Sequence, residues 1–156
     1  MKKLITVKTF LVLFFGSLLF SSCSFQVVYP KPVDPSENTS GPPINAAGQL
    51  VITIQFTDPV NLGSLVMGKT VLLSFPGNPS VAANLSLSID LKTLTITTKD
   101  IASNLLHLSP DGGFTLQLVG TDRGNGVITT TSNTVLDGDY DGKPGGNYVK
   151  QYHIIG

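Results

Sequence analysis

From residue 49 onward the chain alternates. In LVITIQFTDP, Leu50, Ile52, Ile54 and Phe56 occupy every second position, with Val51, Thr53, Gln55 and Thr57 between them. Successive side chains of a strand point to opposite faces, so this pattern predicts a half-buried strand. Asp58-Pro59 ends it, because proline brings no N–H to a ladder. The next run, KTVLLSFPGNP, places Val71, Leu73 and Phe75 on one face before a Pro-Gly-Asn-Pro turn. In ANLSLSIDLKTLTITTKD the pattern gives Leu85, Leu87 and Ile89, then Leu94 and Ile96. The break at residues 90–93 between them, with Asp90, Lys92 and Thr93, predicts a hairpin turn. GGFTLQLVG supplies Phe114, Leu116 and Leu118, and YVKQYHIIG closes the chain.

Helical spacing is confined to DIASNLLHLSP, residues 100–110, which has room for no more than a turn or two. The short strands recur at sandwich-like intervals, separated by Gly, Pro, Asn and Asp. Residues 44–156 are expected to form one all-β sandwich of about seven strands, a length sufficient for one modest core.

The first 43 residues read differently. Lys2, Lys3 and Lys8 precede an apolar run over residues 10–20, and the small pair Ser21-Ser22 follows. That is the anatomy of a secretory signal over residues 1–22, shorter than the ~20 apolar residues of a membrane span. Cys23, the one cysteine of the 156 residues, stands directly behind it. Phe20-Ser21-Ser22-Cys23 resembles the lipobox of bacterial lipoproteins, with Phe20 where that family usually has leucine. The resemblance implies acylation of Cys23, as by palmitate, and a membrane anchor through that lipid. Ser24, in place of aspartate, resembles outer-membrane sorting where a cell has two membranes. Residues 23–43 contain Pro30, Pro32, Pro35, Pro42 and Pro43 and predict an extended tether. Residues 27–29 or 43–44 are alternatively able to add a short edge strand to the sandwich.

Removing the signal changes the charge. The ten basic residues lose Lys2, Lys3 and Lys8, leaving seven against ten acidic ones. A mildly acidic mature chain lacks the clustered basic face that nucleic acid requires. A lone cysteine also excludes an intramolecular disulfide.

Three segments taken in order carry a second resemblance. ITIQFTDPVN, SIDLKTLTITTKD and GGFTLQLVGTDRGNG together resemble the bacterial Ig-like domain of surface and S-layer-associated proteins. The matching features are residues 56–60, the Thr-Leu-Thr strand at 93–96 and the loop at 120–126 after Phe114. LDGDYDGKPGGNY, residues 136–148, is similar to the segment before the last strand of such domains. The likeness covers most of residues 49–155. A longer Thr-rich stretch after Asn125 departs from it and leaves the register of residues 120–136 open. The resemblance implies an Ig-like sandwich serving as a spacer or protein-interaction module at the cell envelope, with no catalytic residues.

The residues themselves point the same way. His107 and His153 share no metal-ligand spacing with a second ligand. No Gly-x-Ser-x-Gly elbow occurs, and Asp58 and Asp90 each sit beside a turn, where aspartate is favoured for local bonding. With no tryptophan, Tyr140 is the single candidate ring for a glycan platform. The chain is therefore expected not to be an enzyme.

One motif retains chemical interest. Asp137, Asp139 and Asp141 alternate ahead of Gly142, as in the start of a calcium loop. The twelfth residue of that loop is Tyr148 rather than glutamate, so this is not an EF-hand. Two readings stay open: a calcium site completed by backbone carbonyls or by Asp122 and Asn125, or a solvated acidic turn whose repulsion salt screens. The first implies a calcium-dependent surface lipoprotein that binds a glycan or another protein.

Overall fold

The computed structural model describes residues 32–33, 42–109, 111–121 and 125–154. The signal segment, Cys23 and Asp122 lie outside the described residues. In chain order the strands are β1 (Pro32–Val33), β2 (Gln49–Phe56), β3 (Val71–Ser74), β4 (Ala83–Leu87), β5 (Thr93–Ile101), β6 (Gly113–Leu118) and β7 (Tyr148–His153). A 3₁₀ turn occupies Leu62–Ser64, and a five-residue helix, α1, occupies Ala102–Leu106. All pairings between strands are antiparallel, in two sheets ordered β1-β2-β5-β4 and β3-β6-β7. The protein is an all-β sandwich.

The period-two pattern places the core. Leu50, Ile52, Ile54 and Phe56 of β2 are buried, with Leu94 and Ile96 of β5 beside them. Val71, Leu73 and Phe75 meet Phe114, Leu116 and Leu118 across the β3–β6 ladder, also buried. Burying one such side chain contributes about 1.5–3 kcal/mol, which is why the alternation decides the register. A one-residue slip would turn every inward side chain to solvent. The rings of Phe75, Phe114 and Tyr152 stack in a row, at centroid separations of 4.8 and 5.4 Å.

Strand β5 is longer than the Leu94–Ile96 pattern predicts. Its register with β2 shifts between Gln49 and Val51, which pair with Ile101 and Thr97. Leu50 therefore faces three residues of β5. The buried Thr98 Oγ1 replaces the missing ladder partner: it accepts from Leu50 N at 3.0 Å and donates to Asp100 O at 2.8 Å.

Three expectations need adjusting. Ile89 does not join Leu85 and Leu87 on the inner face but is fully exposed. It sits inside the β4–β5 turn, closed by Leu91 N donating to Ser88 O at 2.9 Å, with Leu91 itself at φ 59°. Within residues 44–156 there are six strands among the described residues, not about seven. Residues 127–136 instead make two isolated bridges, Val60–Thr129 and Ile128–Val135. There the Thr129, Ser132 and Thr134 hydroxyls bond one another and Asn133 turns the chain at φ 50°. Finally, two residues of the expected tether, β1, pair with Gln55 and Phe56 at the edge of β2.

Candidate functional site

Residues 136–148 form a loop stitched to the sandwich at both ends. Leu136 N donates to Val127 O at 2.8 Å, and Gly145 N returns to Leu136 O at 3.0 Å. Gly138 N donates to Gly145 O at 3.1 Å, so Asp137 and Gly145 make a parallel bridge. Asp137 begins this narrow bridge and is fully buried. Its Oδ2 accepts from Gly142 N at 3.1 Å, while Asp141 Oδ1 accepts from Lys143 N at 2.8 Å.

Glycines make this closeness possible. A Cβ on Gly138 would lie 2.2 Å from Tyr148 N, and one on Gly146 would lie 2.3 Å from the Asp139 carboxyl carbon. Gly146 also holds φ 70°, a region that glycine enters at no steric cost. Gly120, from the neighbouring loop, would bring a Cβ within 1.9 Å of Gly146 O. Its N–H is held by Asn147 Oδ1 at 3.1 Å.

The alternation in DGDYDG turns the three aspartates together. One carboxylate oxygen from each of Asp137, Asp139 and Asp141 lies within 4.8 Å of the others. Asp137 is buried, whereas Asp139 and Asp141 are exposed. Tyr140 between them projects outward at φ 63°, half exposed, with its ring edge-on to buried Tyr148 at 6.4 Å. Hard oxygen donors converging with one buried carboxylate are the donor set that calcium takes. Asn125 is exposed at the start of the adjoining bridged segment.

The other candidate residues are placed by turns. Thr57 Oγ1 donates to Asp58 Oδ2 at 3.0 Å. Asp90 accepts from Ser88 Oγ and from Lys92 N, and those bonds hold its carboxyl below the ordinary carboxylate value. The same Ser-x-Asp arrangement recurs before β6. Ser109 Oγ donates to Asp111 Oδ1 at 2.5 Å and Gly113 N donates to it at 3.1 Å, lowering the Asp111 pKa. His107 caps α1 and is exposed. His153 lies opposite Gly113 on β7, close enough to Asp111 to add to that lowering. The linear sequence does not reveal this Asp111–His153 approach, since it depends on the β6–β7 register; the repeated Ser-x-Asp spacing, at residues 88–90 and 109–111, is a signal that points to an ordered carboxylate.

No family model matches the chain, and no curated protein does. Two solved structures are similar to it: one of surface layer protein SbsC, domains 1-6, and one of the N-terminal part of the bacterial S-layer protein SbsC. Each is 16% identical over 81% of this chain, with a TM-score of 0.48. The chain spans 14% and 24% of their respective lengths.

Proposed function

We propose that this chain is a lipid-anchored, non-catalytic protein of the cell envelope whose sandwich acts as a spacer or protein-interaction module. The observation that carries this reading is the order of parts. An apolar signal ends just before Cys23, a Pro-rich stretch follows, and then comes one two-sheet body with a continuous core. A lipid on Cys23 holds the body at a membrane, in a two-membrane cell the outer one, and another envelope or extracellular protein is its partner. A single acyl chain binds only marginally, so the acylated cysteine carries more than one. The test is flotation of membranes from bacteria producing the full chain. The wild type is expected in the membrane layer, and Cys23→Ser in the soluble fraction. Equal partition of both would refute the anchor.

A second reading has its own support in the convergence of Asp137, Asp139 and Asp141. In it, calcium bound by these carboxylates stiffens residues 136–148 and presents Tyr140 to a glycan or protein. Calcium modules outside cells bind with dissociation constants of about 0.1–1 mM. A hundredfold excess then stabilises by about 2.7 kcal/mol, a rise in Tm of roughly 10 °C. Such a rise, absent with chelator and in Asp139→Ala, is the expected result. Superimposable melts with calcium and chelator would make residues 137–142 an acidic turn.

A further inference from the structure

The outer face of the β3-β6-β7 sheet carries a depression at the opposite end of β7 from the aspartate loop. Gly113 is among the residues that line it. Gly113 sits in the central strand, opposite His153 of β7, where a side chain would otherwise fill the face. The adjacent row across the sheet is Ser74, Thr115 and Gln151, one polar residue from each strand. Pro76 and Asp111, with the stacked Phe75, Phe114 and Tyr152, complete a groove of about 350 Å³.

The groove has usable chemistry. Ser74, Thr115, Gln151 and His153 make no side-chain hydrogen bond to the described residues. Elsewhere the short polar side chains close turns, as Asn45, Asn61, Asn78 and Ser88 do. Asp111 is positioned through Oδ1 by Ser109 and Gly113, which leaves Oδ2 for another donor. A Cβ at Gly113 would stand 3.5 Å from both Asp111 carboxylate oxygens and 3.6 Å from His153 Nε2. The notch above Gly113 is thus bounded by an acceptor and an imidazole.

This lining selects by chemistry. An anion would meet the Asp111 carboxylate, and an apolar ligand would strip water from several polar side chains without replacing their hydrogen bonds. Hydroxyl groups both donate and accept, matching a carboxylate, an amide, an imidazole and two further hydroxyls. The apolar edge of Pro76 suits the C–H face of a sugar ring. A volume near the lower end of the ~300–1,000 Å³ range of ligand sites fits a small unit. We propose that the groove over Gly113 binds one unit of a neutral saccharide, with Asp111, Gln151 and His153 as its hydrogen-bonding contacts.

Calorimetric titration of the purified full chain in detergent tests this, with glucose, galactose, N-acetylglucosamine and the β-1,4-linked trimers of glucose and N-acetylglucosamine as probes. The buffer contains chelator, so the result does not depend on the aspartate loop. At least one probe is expected to bind with Kd of about 1 mM, ordinary for a few hydrogen bonds in an open groove. Gly113→Ala fills the notch without clash and is expected to weaken binding at least about fivefold, a loss of about 1 kcal/mol, while Tm is retained. Gln151→Ala, which leaves the backbone and the Asp111 turn alone, is expected to weaken it similarly. Gln117→Ala, farther along the same outer face, is the control and is expected to bind like the wild type. Absence of binding by every probe overturns the proposal. So does binding that Gln151→Ala and Gly113→Ala leave unaltered.

Discussion

Replacing Thr98 by valine isolates the hydroxyl that bridges the β2–β5 irregularity. The side chain is fully buried, and its oxygen both accepts from Leu50 N and donates to Asp100 O. Valine has nearly the same shape but satisfies neither group. A buried N–H left without a partner costs about 1–3 kcal/mol, and the lost bond to Asp100 about 1 kcal/mol. The added methyl returns about 0.8 kcal/mol of burial. The net destabilisation is about 2 kcal/mol, a fall in Tm of roughly 8 °C for a body of this size. Thr98→Ser is the decisive comparison: it keeps the hydroxyl and loses a methyl, for about 1 kcal/mol. Thermal and urea unfolding of the three chains should rank wild type above serine and serine above valine. The urea slope should stay unchanged, as for a pure stability effect. A valine variant at least as stable as the serine variant would show that the hydroxyl does not hold this part of β5.

Three further outcomes follow from the turns. Gly120→Ala should prevent folding or lower Tm by more than about 10 °C, because its Cβ meets two carbonyl oxygens at 1.9 and 2.6 Å. Gly142→Ala has open space and only a positive φ to accommodate, so it should cost about 1 kcal/mol. Acid unfolding should show the Ser-x-Asp turns. Asp90 and Asp111 both have folded-state pKa values below the ordinary 3.8. Their stabilisation is therefore full above that value and is lost as pH falls through the lower folded one. Tm followed below about pH 4 should fall less steeply in Asp90→Asn and Asp111→Asn; unchanged slopes would contradict the assignment.

The sheet faces were readable because burial and alternation coincide. The inward residues of β2, β3 and β6 follow from polarity alone, since each of those strands has one apolar face over a common core. Pattern reading failed where a turn overrides polarity. Ile89 continues the apolar series of β4, yet the two-way closure of Ser88 with Leu91 and Thr93 turns it outward. It also stopped short on β5, where the inward position after Ile96 is a threonine whose hydroxyl is satisfied by the backbone. In residues 127–136, hydroxyls bonding to one another compete with a regular ladder, and strand propensity did not prevail.

For the candidate site, the spacing of Asp137, Asp139 and Asp141 was visible, and so was the role of glycine in bending the loop. Burial of Asp137 alone was not, because it follows from the bridge to Gly145 and from Leu136 packing into the core. The groove over Gly113 was hidden for a similar reason. Its lining comes from three strands far apart in the chain, and a glycine announces a depression only once its neighbours are known.

The central claim is the anchor, and incorporation of lipid at Cys23 tests it most directly. Bacteria producing the full chain are fed an alkyne-bearing palmitate, the protein is isolated, and the label is read by mass spectrometry of its N-terminal peptide. The account predicts an acylated peptide beginning at Cys23 and no label in Cys23→Ser. A wild-type chain without lipid, or a label that survives Cys23→Ser, would contradict it.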